Sequence, residues 1–176
     1  MVLHLENAFI KNFGLKNPEL FSQGFHVTQF PLPGEIREFV EKDDWAAVDQ
    51  AFSKLTSSGG ELFQFLRKYH DFDSIEFILA IRDSKNEWEE DGIWHDDGSR
   101  VFSFSLSLTL GEIEGGRLGV RKTGEAEFLE IPTPPFGGII LFLTGVYGFE
   151  HKIHQVKHGR RVIVAGWCSK NKLDQT

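Results

Sequence analysis

Two short segments concentrate the residue types that bind metals and anions. Ile93-Trp-His-Asp-Asp-Gly-Ser-Arg100 carries His95 and Asp97 two positions apart, so on extended chain both side chains leave the same face and can reach one ion, with Gly98 permitting a sharp turn after them. The second segment, 151–167, holds His151, His154 and His158 ahead of Arg161. A nitrogen from it completes a set of two histidines and one carboxylate, which leaves positions open on a divalent iron for a bidentate cosubstrate and dioxygen. Read as two strand halves folded about His158-Gly159, the segment sets Arg161 opposite Gln155 or Val156. That is about 13–16 Å along the chain from His151, a gap that fits a dicarboxylate with one end on the metal and the other on the planar guanidinium fork.

The competing residues are weighed on the same grounds. His154 lies only seven residues from Arg161 and leaves less room for a dicarboxylate, and His158 sits beside the turn; His151 is preferred, partly on the spacing of the family resemblance given below. Arg160 faces away from Arg161 on an extended chain and reads as solvated. His4, His26 and His70 have no partner pattern and are expected at the surface. Cys168, beside Trp167 in an apolar strand, reads as a small buried residue rather than a nucleophile. Trp88 and Trp94 flank the acidic run 87–91, which reads as a solvated loop or as a lid over the metal triplet.

Elements that would position these groups follow from the hydrophobic pattern. From 34 to 69 apolar residues recur at helical spacing, giving two or three helices with a break at Ser57-Ser58-Gly59-Gly60. Beyond them lie strand-length segments at 75–82, 101–110, 117–121, 126–131, 138–143, 151–156 and 161–169, bounded by turn residues. No helix-length segment interrupts them, so an antiparallel sandwich or barrel is expected rather than a doubly wound sheet. Along 102–110 every even position is apolar and every odd one a hydroxyl. Ser103, Ser105, Ser107 and Thr109 therefore share a face, preferred here as a solvated outer face, with a polar cavity as the alternative.

The whole chain bounds the answer. It has 176 residues, 40% hydrophobic and 26% charged, enough for one well-buried core and unlike a disordered or collagenous chain. Its 17 Phe and 18 Gly suit half-buried strands and the turns between them. A net charge of −7 argues against nucleic acid as a partner. One cysteine excludes an internal disulfide and suits a reducing compartment. Residues 1–10 contain His4, Glu6 and Asn7 where an export signal would be apolar, and the most apolar stretch, 136–149, falls short of the roughly 20 residues that cross a bilayer. A soluble cytoplasmic protein with no membrane partner is expected.

These residues resemble, over roughly 75–169, the iron(II)- and 2-oxoglutarate-dependent oxygenases, in their prolyl-hydroxylase-like branch. His95 and Asp97 match the family's H-x-D and His151 its distal histidine. Ile153, Val156, Gly159 and Arg161 follow as in its H-x-V-x-P-V-x-x-G-x-R, with Trp167 at the aromatic position beyond. Glu114-Gly-Gly-Arg-Leu118 is similar to its G-G-x-L turn, and Pro135-Phe-Gly-Gly-Ile-Ile-Leu-Phe142 to its P-x-x-G-x-x-x-F strand. Gln155 departs from the usual proline, Lys152 from the frequent glutamate, and Ser107 stands where a tyrosine often helps hold the cosubstrate.

The resemblance implies a mainly β fold, a double-stranded β-helix or jelly roll with N-terminal supporting α-helices. It would form one domain over 1–176, with a helical support region at about 1–72 and a jelly-roll core with the metal site at about 73–170. It implies iron(II) on His95, Asp97 and His151, with 2-oxoglutarate as cosubstrate on Arg161, helped by Ser107, Ser105 or Thr109. With dioxygen, a peptidyl or free amino acid, or another small molecule, would be hydroxylated with release of succinate and carbon dioxide. Two other classes stand beside it: a non-catalytic jelly-roll ligand binder with a vestigial metal site, and a metal-dependent hydrolase suggested by the adjacent His95-Asp96.

Overall fold

The computed structural model describes residues 14–84 and 92–171. The acidic run 87–91, Trp88, His4 and residues 1–10 lie outside the described residues. The fold is mainly β, with antiparallel sheets and four short helices among the described residues.

The helices come first: α1 (Pro18–Gln23), α2 (Glu35–Glu41), α3 (Trp45–Leu55) and α4 (Glu61–Leu66). Asn17 and Asp44 cap α1 and α3 by accepting from the backbone N–H of Leu20 and Ala47, which satisfies donors that have no partner inside a helix. The Ser-Ser-Gly-Gly break falls between α3 and α4, as the sequence indicates. A Cβ at Gly60 would stand 2.2 Å from the Leu55 carbonyl oxygen, so no other residue fits there.

The helical third also contributes a strand that the periodicity did not reveal. β1 (Phe25–Gln29) pairs at one edge with β7 (Gly138–Leu143). Five residues with a weak alternation give little signal, and it is the register with the strongly apolar β7 that holds them extended. The other long strands are β2 (Ser74–Asp83), β3 (Phe102–Ser107) and β10 (Arg160–Ser169). Together they make a five-stranded sheet in the order β1-β7-β3-β10-β2.

Facing it is a smaller sheet of β6 (Leu129–Ile131), β5 (Leu118–Lys122) and β8 (Phe149–Ile153) in that order, plus a two-stranded pair of β4 (Glu114–Gly115) and β9 (Val156–His158).

The alternation of β3 divides the large sheet into two faces. Phe102, Phe104, Leu106, Val162 and Val164 are at most 3% exposed and belong to one continuous hydrophobic cluster with Val48, Phe52, Leu62 and Leu66 of the helices. Each such side chain contributes about 1.5–3 kcal/mol through burial. Gly166, paired with Phe104, is required by this packing, because the Phe104 ring lies where its Cβ would be, 2.1 Å from Cζ.

The hydroxyl face is not solvated. Ser103, Ser105, Ser107 and Thr109 are 0–6% exposed and look towards the small sheet, so the preferred outer-face reading is overturned and the cavity alternative holds. The period of two identified the face, but only the second sheet decides what covers it.

The expected hairpin about Gly159 is also absent. β8 pairs with β5 and β9 with β4, whereas β10 pairs with β2 and β3. Between Ile153 and Arg160 the chain crosses from one sheet to the other, with His154 N–H donating to the Arg117 carbonyl and the Gln155 carbonyl accepting from Gly116 N–H. His151 and Arg161 consequently lie on different sheets.

Candidate metal centre and carboxylate pocket

His95 lies on the connection from β2 to β3, and His151 lies on β8. An isolated antiparallel bridge joins them: His95 N–H donates to the His151 carbonyl (3.0 Å) and His151 N–H to the His95 carbonyl (2.8 Å). Backbone pairing thus holds the imidazoles side by side, with ring centroids 4.2 Å apart. His95 Nδ1 is 3.1 Å from the Ile93 carbonyl; a proton on Nδ1 satisfies that contact and leaves the Nε2 lone pair facing Asp97 Oδ1 at 3.6 Å.

Asp97 does not continue an extended chain, as the two-residue spacing suggested. Its φ is +60°, in the left-handed region, followed by Gly98 at +65°. The turn is built by Asp96, whose carboxylate accepts from Gly98 N–H and whose carbonyl accepts from Gly145 N–H. A side chain at Gly145 would collide with that carboxylate at 2.6 Å. Downstream, Arg100 reaches back to the Asp97 carbonyl, pairs with Glu76 at 3.0 Å and lies over the Trp167 ring. The turn is therefore tied to both β2 and β10, and backbone strain at a site so firmly held is a common mark of function.

His95, Asp97 and His151 present one ligand atom each within 4.8 Å of one another. Asp97 Oδ2 is 3.5 Å from His151 Nε2 and accepts a 2.7 Å hydrogen bond from Ser103 Oγ. Ser103 orients the carboxylate, a role the sequence reading did not give it. Burial holds the His151 pKa at about 4, outweighing the opposing pull of Asp97, so the ring is neutral and its lone pair is available at neutral pH. Its Nδ1 is buried with no hydrogen-bond partner among the described residues, a poor arrangement for a purely structural histidine. The neutral His151 imidazole, the His95 ring beside it and an oriented carboxylate fit a divalent first-row metal such as iron(II).

The other candidates stand elsewhere. His154 pairs with Glu130 at 3.3 Å and stacks on Phe128, while His158 is exposed opposite Glu114. Arg160 is not merely solvated: it pairs with Asp43 at 2.9 Å and lies over Trp45. His70 is not at the surface but fully buried, with Nδ1 2.6 Å from the Asp71 carbonyl and Nε2 2.5 Å from Tyr147 Oη. Cys168 is buried as expected, and burial pushes its thiol pKa up.

A cavity of about 80 Å³, partly open to solvent, runs from the two histidines along the inner face of the large sheet. Its walls include Ile78, Ala80, Ile163, Ala165 and Trp167, with Arg82 and Ser105 among the polar groups. Arg161 lies beside it, 0% exposed. Arg161 Nε donates to Thr133 Oγ1 (2.9 Å) and Nη2 to Ser105 Oγ (3.4 Å), while Gly116 lets the side chain pass within 2.8 Å of where a Cβ would be. Ser107 Oγ instead accepts from Thr109 N–H, and Thr109 Oγ1 is occupied by the Val162 backbone. Thr133, in Ile131-Pro-Thr-Pro-Pro135, gave no sequence signal because prolines on both sides obscure any periodicity.

No known family's sequence profile matches the chain, and no curated protein matches it by sequence. Solved structures do. A prolyl-4-hydroxylase from Pseudomonas putida aligns over 90% of this chain and 91% of its own at a TM-score of 0.55 and 16% identity. A prolyl 4-hydroxylase from Phytophthora capsici gives 0.61 at 15% identity, covering 89% of this chain and 62% of its own. The fold is that of the prolyl-hydroxylase-like 2-oxoglutarate oxygenases. A third structure with this oxygenase fold, a prolyl hydroxylase from Trichoplax adhaerens solved with a hypoxia inducible factor peptide, covers 96% of this chain and 92% of its own at 0.55 and 14% identity. At these identities the oxygenase likeness is one of fold. No helix among the described residues is long and apolar enough to cross a membrane.

Proposed function

We propose that the chain forms a single jelly-roll domain acting as an iron(II)- and 2-oxoglutarate-dependent hydroxylase, with His95, Asp97 and His151 holding the metal and Arg161 the far carboxylate of 2-oxoglutarate. One observation carries this reading. Ser103, bonded to the Asp97 carboxylate, and Ser105, bonded to the Arg161 guanidinium, are successive inward positions on β3. Two residues of strand span about 7 Å. A five-carbon keto diacid bridges such an interval, with its keto acid at the metal and its other carboxylate at the guanidinium.

Bound iron would supply the oxidising chemistry, activating dioxygen as 2-oxoglutarate is decarboxylated to succinate. The chain's own residues set the conditions for it. Neutral His151 offers a lone pair beside the Nε2 of His95, and Ser103 fixes the carboxylate between them. Arg161 neutralises the diacid in a water-poor cavity where charge-assisted hydrogen bonds are strong. The apolar walls of Ile78, Ala165 and Trp167 exclude water and position an aliphatic C–H bond near the metal. The substrate is a peptidyl or free amino acid or another small molecule; the Trichoplax adhaerens enzyme bound to a peptide supports the peptidyl form.

The test is succinate formation from 2-oxoglutarate by purified protein with ferrous iron and air, against Asp97→Ala. Turnover by the wild type and none by the variant is expected. Protein without bound metal and with no response to 2-oxoglutarate would favour the ligand-binding module instead.

A further inference from the structure

The turn that carries Asp97 is gripped from outside by two consecutive residues at the end of β7. Asp96, Gly98 and Ser99 are exposed, and Asp97 among them adopts a left-handed φ that its residue type disfavours, so neighbours must impose the conformation. Gly145 N–H donates to the Asp96 carbonyl (2.9 Å) and Thr144 Oγ1 to the Arg100 carbonyl (2.5 Å). One bond lies just before Asp97 and the other shortly after it, which fixes the direction in which the carboxylate leaves the backbone. Thr144 is fully buried, so water cannot readily replace its bond.

The grip is itself anchored. Thr144 opens a 3₁₀ turn, Gly145–Tyr147, and its carbonyl accepts from the N–H groups of Tyr147 (2.9 Å) and Phe149 (3.1 Å). At the far end of that turn the Tyr147 hydroxyl meets His70 Nε2, while His70 Nδ1 lies against the Asp71 carbonyl. A carbonyl only accepts, so Nδ1 carries the proton and the Nε2 lone pair receives the Tyr147 hydroxyl. Burial keeps both groups in these forms, lowering the His70 pKa to about 4 and raising that of Tyr147. The His70 ring also stacks on Phe102, the neighbour of the Ser103 that orients the Asp97 carboxylate. Both supports of Asp97, the hydroxyl on its side chain and the grip on its backbone, thus lead to one buried group of rings.

We propose that Thr144 and Tyr147 are positioning residues for the metal carboxylate: Thr144 holds the Asp97 turn, and the Tyr147–His70 hydrogen bond holds Thr144 in place. The inference rests on the metal-site reading above. Without the Thr144 hydroxyl the Arg100 carbonyl loses this donor, the turn relaxes away from the left-handed conformation, and a folded protein presents the two imidazoles with a misdirected carboxylate.

The experiment is calorimetric titration of manganese into wild type and variants well below their unfolding temperatures, with Tm recorded for each. Thr144→Val keeps the side-chain shape and is expected to weaken manganese about ten-fold, the lower end for loss of a contact supporting a metal ligand. Thr144→Ser keeps the hydroxyl and should stay within about two-fold of wild type. Tyr147→Phe loses only a hydroxyl and should weaken manganese about two- to ten-fold, the worth of one neutral hydrogen bond; it decides the matter if the valine variant does not fold. Phe52→Leu, in the helical core away from the site, should lower Tm and leave the manganese Kd unchanged, which separates positioning from stability. Wild-type affinity in Thr144→Val and Tyr147→Phe, whatever their Tm, overturns the inference, and leaves the metal-site reading intact if His151→Ala fails to bind. Loss in Thr144→Val alone overturns the role of Tyr147. Equal weakening by Phe52→Leu or Thr144→Ser also overturns the inference, since the effect would not depend on the hydroxyl bond. Wild-type protein that binds no manganese overturns both readings.

Discussion

Ser103→Ala removes one hydroxyl from the cavity wall and leaves every apolar contact of β3 in place. Ser103 Oγ donates to Asp97 Oδ2 at 2.7 Å, and the Asp97 side chain is 6% exposed. A hydrogen bond to a charged group contributes about 1.5–3 kcal/mol, and water cannot readily replace this one. The metal-free variant should therefore lose about 2 kcal/mol, a fall of about 4–8 °C in Tm for a chain of this size. The second effect is on metal binding. Without the donor the carboxylate can rotate about χ2, and loss of such a supporting contact lowers metal affinity about 10–100-fold, or about 1.4–2.8 kcal/mol. The two magnitudes agree, as expected if one contact underlies both. Calorimetric titration of manganese into wild type, Ser103→Ala and Ser103→Thr measures it, the threonine retaining the donor. A Kd for the alanine variant within about two-fold of wild type would refute the reasoning that Ser103 sets the ligand geometry.

Gly166→Ala should cost about 1–3 kcal/mol in urea denaturation, because the new methyl would stand 2.1 Å from Phe104 Cζ in the core. Acid should weaken the fold through His70: burial holds its pKa at about 4 against 6.5 when unfolded, so the unfolded chain binds the proton first. Stability is then lost as pH falls from 6.5 through 4, by at most about 3 kcal/mol from this group, and His70→Phe should flatten the slope of unfolding free energy over that interval. Trp94 lies 4.0 Å from the Arg121 guanidinium and 4.7 Å from Lys152 Nζ, clamping the residue before His95 onto β5 and β8. Trp94→Ala should cost about 1 kcal/mol in thermal unfolding and weaken manganese binding by calorimetry, through the neighbouring ligand.

The sequence made legible what depends on local pattern. Perfect alternation at 102–110 located the strand that carries Ser103 and Ser105, and the helical spacing with its Ser-Ser-Gly-Gly break located α3 and α4. His151, preferred in the sequence for its spacing from Arg161, does lie beside His95 and Asp97, but through the backbone bridge of β8 to His95 rather than through the hairpin from which that spacing was reckoned. Features that depend on which sheet pairs with which were hidden. The hydroxyl face reads as solvated until a second sheet covers it, and the hairpin about Gly159 is plausible until β10 takes β2 and β3 as partners. Thr133 acquires its role only because a proline-rich turn passes over Arg161. His70 lacks any patterned partner in the sequence, yet Tyr147, 77 residues away, closes its hydrogen bonding.

The central claim is that His95, Asp97 and His151 bind one metal ion, and anaerobic titration with ferrous iron of wild type, His151→Ala and His154→Ala tests it most directly. The structure predicts one iron per chain for wild type and for His154→Ala, whose side chain pairs with Glu130 away from the site, and no binding for His151→Ala. Full binding by His151→Ala, or its loss in His154→Ala, would contradict the account.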